Sequence, residues 1–188
     1  GVKMRAGRGW NDGKINILFA SQPEPENHPF NDKIGNIHLP DEIENVLCRF
    51  VAGNDGFRLI IRYHPSQNSI FKAGKNVEFS PTSDEISAVL HAIDMVITIT
   101  STVAVEASII GKPVITVDKS IFSEDVHYAQ MGISIGVKEM EELAGAILSA
   151  KNTINDYDSG FRVKHGINGA GDNVVGVVEG LGIRDDNG

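Results

Sequence analysis

The sequence predicts an α/β fold: a mostly parallel sheet in three layers, with helices on both faces. Three observations carry this expectation. Short apolar runs alternate with segments of helical spacing. Residues 94–117 read as a complete strand–helix–strand unit. Polar residues gather where the strands end, which is where ligands bind in sheets of this kind.

The elements follow in order. Residues 1–14 are glycine-rich and basic and are expected to be a linker or an N-terminal extension, with one domain over 15–188. Ile15-Asn16-Ile17-Leu18-Phe19-Ala20 reads as a first buried strand. The segment Ser21–Leu39 holds prolines at 23, 25 and 29. A connection this long either serves binding or is filler. Ile43, Val46, Leu47, Phe50 and Val51 share one helix face, with Pro40, Asp41 and Glu42 suited to its first turn and Gly53 to its stop. Phe57–Tyr63 is the second strand and runs into His64-Pro65. Val77-Glu78-Phe79 is a short third strand.

Thr82 and Glu85 have capping-box spacing, ahead of a helix with Ile86, Val89, Leu90 and Ile93 on one face. The fourth strand then enters Thr100-Ser101-Thr102, a helix follows from about Ser101 to Gly111, and a fifth strand follows Pro113. Residues 121–131 form a short helix or a loop, and 133–137 a last strand. Met140, Leu143, Ala144, Ile147 and Leu148 mark an amphipathic helix. Residues 151–169 read as loop, and Val174, Val175, Val178 and Leu181 as a terminal helix weakened by Gly176 and Gly180.

Composition narrows the function. A chain of 188 residues with 41% hydrophobic and 22% charged residues can bury one substantial core. A net charge of −8 argues against a general nucleic-acid or anionic-membrane surface. The single cysteine, Cys48, excludes an internal disulfide and a thiolate metal cluster, and its position suits a buried thiol. No span-length apolar run or signal peptide is visible, so the expected location is cytoplasmic. His28, His38, His91, His127 and His165 lack metal-ligand spacing. No Gly-x-Gly-x-x-Gly follows the first strand, and no phosphate-loop Gly-Lys-Ser/Thr or Gly-x-Ser-x-Gly occurs.

The candidate site lies at the strand ends: Ser21-Gln22, His64-Pro65, Ser80-Pro81-Thr82, Thr100-Ser101-Thr102 and Asp118-Lys119. A helix N-terminus with hydroxyls beside it suits a phosphate. His64 either donates to a phosphate oxygen or caps its strand, and the proline after it restricts its backbone. Glu106, one turn into the helix, suits a ribose diol or is an exposed helix carboxylate. Lys119 is a weak candidate for a phosphate, Lys112 a solvated turn residue, and Arg62 structural.

The order strand-His64-Pro65, Asp94–Thr98, Thr100-Ser101-Thr102-Val103, Glu106-Ala107 and Gly111-Lys112-Pro113-Val114-Ile115 resembles the carboxyl-terminal, donor-binding half of GT-B glycosyltransferases. The nearest likeness is to bacterial surface-polysaccharide enzymes: sialyltransferase-like, capsule and teichoic-acid transferases. UDP-N-acetylglucosamine 2-epimerase is also similar. It has Ser-Gly-Gly where this sequence has Thr100-Ser101-Thr102, and a second acidic residue where this one has Val105.

The resemblance implies a Rossmann-like sheet that is one half of a GT-B fold. It implies transfer from a UDP-, CMP- or CDP-linked sugar to an acceptor saccharide or lipid-linked glycan, with no cofactor, no metal and no nucleic acid. His64, as the catalytic residue, and Ser101 would hold the donor phosphates, with Thr100 and Thr102 assisting. Glu106 would hold the ribose, and Phe79-Ser80-Pro81 the base. An N-terminal acceptor domain or partner chain would supply the other half, and apolar surface for it is expected in Ser21–Leu39 and near Phe122. An epimerase-like enzyme and a non-catalytic nucleotide-sugar-binding module are the alternatives.

Overall fold

A computed structural model of the chain describes residues 1–157. Six parallel strands run in the order β3-β2-β1-β4-β5-β6. They are β1 (Ile15–Ala20), β2 (Phe57–Arg62), β3 (Val77–Phe79), β4 (Met95–Thr98), β5 (Val114–Val117) and β6 (Ile135–Val137). The helices are α1 (Val2–Gly7), α2 (Leu39–Gly53), α3 (Ile86–Ala92), α4 (Val103–Ile109) and α5 (Leu143–Tyr157), the last preceded by a 3-10 turn at Met140–Glu142.

The three-layer arrangement is the predicted one. Alternate residues of each strand face opposite sides. Ile17, Phe19, Leu59, Ile61, Ile97 and Val117 pack with Ile43, Leu47 and Val51 of α2 and with Leu143 and Ile147 of α5. Leu18, Ile60, Val96 and Val114 pack on the other face with Val89 and Leu90 of α3 and Ala104 and Ala107 of α4. Strands covered on both faces read as continuous apolar runs, which is why they were legible. Gly111 closes α4 at φ 76°, a left-handed conformation that glycine reaches without a Cβ penalty.

Several expectations are corrected. Residues 1–14 carry α1 and seat Trp10 with no exposed surface in the α3–α4 core. The reason is a polar network at the amino-terminal ends of the strands. Arg5 makes a two-pronged pair with Asp94 at 2.7 and 3.1 Å. Asp94 also accepts the Asn16 backbone N–H at 2.8 Å, and the Trp10 indole donates to Glu78 at 2.7 Å. Arg58 bridges Asp12 at 2.7 Å and Glu78 at 2.9 Å.

The Thr82–Glu85 capping box does not form, because α3 begins at Ile86 and Glu85, its N-cap, makes no side-chain cap bond. The stretch before it is tied to Arg62, which donates to the carbonyls of Pro81, Thr82 and Asp84 at 2.8, 3.2 and 2.9 Å. α5 continues to Tyr157 through residues expected to be loop, since Ala150 and Ile154 extend its apolar stripe onto the core. Residues 121–131 are turns without a helix. The expected terminal helix lies outside the described residues. No described helix is long and apolar enough to cross a membrane.

Trp10→Ala removes a fully buried indole and is expected to cost about 3–5 kcal/mol. Urea denaturation followed by circular dichroism checks this. A change under about 0.5 kcal/mol, as for a surface position, would mean that the segment is not part of the core.

Candidate functional site

Each parallel strand ends on the same edge of the sheet, so the loops after β1, β2, β4 and β5 converge there. β1 lies between β2 and β4 in the strand order, and the chain reverses direction across the sheet at this point. Two side-chain amides join the three strand ends. Gln22, just after β1, donates to Thr100 Oγ1 at 2.6 Å. Gln67, in the loop after β2, donates to Ser21 Oγ at 3.0 Å.

The loop after β2 opens with a tight turn. The Gln67 N–H donates to the His64 carbonyl at 2.8 Å, and the His64 N–H donates to Gln67 Oε1 at 2.9 Å. Pro65 takes the second position of that turn, which its fixed φ favours. His64, Pro65 and Ser66 are exposed, and His64 Nδ1 lies 2.7 Å from Ser66 Oγ.

The turn after β4 carries its hydroxyls as expected, but the helix starts later, at Val103, with Thr102 as N-cap. Ser101 Oγ accepts the Val103 N–H at 3.3 Å, and the N–H groups of Ala104 and Val105 bond Ser101 and Thr102 carbonyls at 3.0 Å each. The first turn therefore satisfies these donors itself. What it offers a ligand is hydroxyl groups more than amides. Thr100 and Ser101 are half-buried, and Thr102 and Glu106 are exposed. Thr98 Oγ1 donates to the Ala20 carbonyl at 2.8 Å and locks β4 to β1 below the turn.

Other predicted residues have structural partners. Ser21 is buried beneath Gln67. Ser80 is fully buried; its hydroxyl donates to Asp84 at 3.0 Å and accepts from Arg62 at 3.2 Å. Pro81 is half-buried and its carbonyl accepts from Arg62. Lys119 pairs with Glu139 at 3.0 Å. Lys112 is not a solvated turn residue: its ammonium donates to the Ile93 carbonyl at 2.7 Å, and burial lowers its pKa.

Sequence reading missed the residues that tie the site together. Gln67 stands out only as a polar residue two places after a proline. Glu24 and His28 lie in the long β1–α2 loop and are buried. Glu24 accepts from Ser120 Oγ at 2.7 Å and from the Ile121 N–H at 2.8 Å. His28 Nε2 pairs with Asp125 at 2.9 Å while its ring packs near Phe122, and Lys33 pairs with Glu124. The loops after β1 and β5 thus form one body that spans the end of β4. A Cβ on Gly35 would run into the Pro25 carbonyl oxygen, so this loop needs glycine there. Phe30, Ile34 and Ile37 stand 91%, 77% and 53% exposed on it, the apolar surface expected in this segment.

Solved structures share this architecture. The wall teichoic acid polymerase TagF superposes with a TM-score of 0.64 over 91% of this chain and 41% of that chain, at 15% identity. The fold is that of one GT-B half. UDP-GlcNAc 2-epimerase from Neisseria meningitidis, bound to UDP-GlcNAc, matches with a TM-score of 0.57 over 95% of this chain and 48% of that one, at 14% identity. A glycotransferase of kitacinnamycin matches with a TM-score of 0.52 over 85% and 40%, at 14% identity. This chain spans less than half the length of each. No protein-family model and no curated protein matches it.

Asp118 follows β5 on the same edge. Burial pushes its carboxyl above the usual carboxylate range, against a hydrogen bond from Thr116 and the charge of Lys138. A raised folded pKa means stability present at acid pH that is lost as pH rises through the folded value. Asp118→Asn is therefore expected to melt higher than the unaltered chain at neutral pH, with the gap closing toward about pH 4. Paired thermal melts across that range check this, and a gap that widens on acidification would contradict it.

Proposed function

We propose that this chain is the donor-binding half of a nucleotide-sugar-dependent glycosyltransferase acting in the cytoplasm, in bacterial polysaccharide or glycoconjugate synthesis. The observation that carries the reading is the joining of the His64-Pro65 turn and the Thr100-Ser101-Thr102 turn across the end of β1 by Gln67 and Gln22. Two neutral amides, Gln67 on Ser21 and Gln22 on Thr100, tie the turn that carries His64 and the turn that carries Thr100, Ser101 and Thr102 to the end of β1. Such a set suits the phosphates of a UDP-, CMP- or CDP-linked sugar. The GT-B half fold supports the same reading, as does the epimerase of like fold bound to UDP-GlcNAc.

The chemistry follows from charge. Breaking the bond between sugar and nucleotide leaves negative charge on the departing phosphate. Donors already aimed at that charge lower the barrier, because they need not reorganise as it develops. Ser101 retains its O–H for donation, since its oxygen accepts the Val103 N–H. His64 would be the second donor, and Thr100 and Thr102 would assist. Glu106, exposed on the first turn of α4, would take the ribose hydroxyls. Transfer also needs an acceptor hydroxyl within about 3–3.5 Å of the reacting carbon and a base for its proton. The acceptor saccharide or lipid-linked glycan would be held by an N-terminal acceptor domain or a partner chain. The exposed Phe30, Ile34 and Ile37 would face it.

Ser101→Ala is expected to weaken binding of a nucleoside diphosphate about tenfold or more, the worth of one hydrogen bond to a charged group. His64→Ala should weaken the nucleotide and leave the bare nucleoside unaffected. Calorimetry with UDP, CDP, CMP and their nucleosides reads both. Equal affinity in Ser101→Ala, or equal losses for nucleotide and nucleoside in His64→Ala, would defeat the assignment.

The isolated 188 residues are expected to bind a nucleotide sugar without turning it over at an enzymic rate. Nucleotide release is followed with each common sugar nucleotide and a mixed acceptor pool. Robust release by the chain alone would show that the half-enzyme reading is wrong.

A further inference from the structure

We infer that Ser66 is a positioning residue that sets the His64 imidazole as an Nε2–H donor. This rests on the nucleotide reading for its purpose, and on hydrogen-bond geometry for its substance. The Ser66 backbone N–H donates to His64 Nδ1 at 3.2 Å, and Ser66 Oγ lies 2.7 Å from the same nitrogen. A backbone N–H can only donate. Nδ1 therefore acts as an acceptor, and the hydroxyl, the nearer of the two groups, turns its proton toward the ring. Two donors on Nδ1 leave the ring proton on Nε2.

The geometry has a consequence for the direction of the ring. Nδ1 is occupied by the two Ser66 groups, so Nε2–H is the end of the imidazole left for a ligand. The turn that supplies both Ser66 donors is itself closed by Gln67 through two bonds to His64, at 2.8 and 2.9 Å. Gln67 then anchors it to Ser21 at 3.0 Å. A phosphate oxygen accepts hydrogen bonds and offers none, so an imidazole that presented a bare Nε2 to it would repel it. Ser66 thus decides the sign of the contact that His64 makes, without touching the ligand.

The test separates this role from nucleotide binding. Histidine is labelled with nitrogen-15, the His64 signals are assigned by their loss in His64→Gln, and ring-proton correlations report which nitrogen is protonated. The spectra are recorded at a pH where the ring carries one proton. The unaltered chain is expected to show Nε2–H alone, with Nδ1 at the shift of a hydrogen-bonded acceptor. Ser66→Ala keeps the longer backbone bond to Nδ1 and loses the shorter hydroxyl one, so it is expected to move Nδ1 off the shift of the doubly bonded acceptor and admit some Nδ1–H tautomer, and Ser66→Thr to restore the single one. Affinity for a nucleoside diphosphate should fall in Ser66→Ala in proportion to the fraction of the ring that has lost Nε2–H, about twofold for an even mixture, with no loss for the nucleoside. Ser66 is exposed, so melting temperatures should stay together.

A protonated Nδ1 in the unaltered chain would overturn the inference. So would a Ser66→Ala spectrum unchanged at Nδ1. If the spectra come out as expected and the unaltered chain binds no nucleotide, the positioning role stands and the nucleotide reading falls.

Discussion

The structure depends on the burial of β1 on all four sides. Its backbone is paired with β2 along one edge and with β4 along the other, and its side chains are covered by helices above and below. A strand in that position has no room for an unpaired polar group. Polar chemistry is excluded from its length and is confined to its two ends. The two ends have taken different tasks.

At the amino-terminal end, polarity is spent on holding the fold. Asn16 is the polar residue within β1, and it is fully buried. Its amide donates to the Trp10 carbonyl at 2.9 Å and its carbonyl accepts from Arg58 at 3.0 Å. Asp94 takes its backbone N–H and the Arg5 guanidinium together. The opening segment is thus secured to the start of β4 by the half-buried Arg5–Asp94 pair and to β2 by the buried Arg58, which reaches the exposed Asp12. Removing one partner of such a network leaves the others desolvated and unpaired, which costs far more than an exposed pair would. That is why a basic, glycine-rich stretch packs as part of the domain.

At the carboxyl-terminal end, polarity is left partly unspent. Gln67 bonds Ser21 and Gln22 bonds Thr100, while the His64 ring and the hydroxyls of Ser101 and Thr102 keep hydrogen-bonding capacity toward the outside. Around this seat the loops after β1 and β5 are made into one body by the buried Glu24 carboxylate and the His28–Asp125 pair. These contacts lie between loops, so the proposed seat would need no ligand to take its form. Preformed donors are the kind that stabilise charge as it develops. The exposed Phe30, Ile34 and Ile37 sit on the same stiff body, which makes that apolar surface a defined shape instead of a loose tip.

What the sequence determined by itself was the sheet. β1 and β3 have the residues read from the apolar runs, and the other strands differ only at their ends, because covered strands write their burial directly into composition. The resemblance to a GT-B half could be drawn from motif order alone, and the solved structures share that fold. Tertiary structure decided everything that depends on partners far apart in the chain. Arg5 and Asp94 are 89 residues apart, Glu24 and Ser120 are 96, and Gln22 and Thr100 are 78. No periodicity records such pairs. The local capping signal at Thr82 and Glu85 lost to the four bonds from Arg62 for the same reason: a long-range donor outbid a short-range pattern. Ser66 shows the limit most plainly. Its distance from His64 is two residues and was always legible, but which ring nitrogen it faces was not, because that is fixed by how the turn folds back on Gln67 and Ser21.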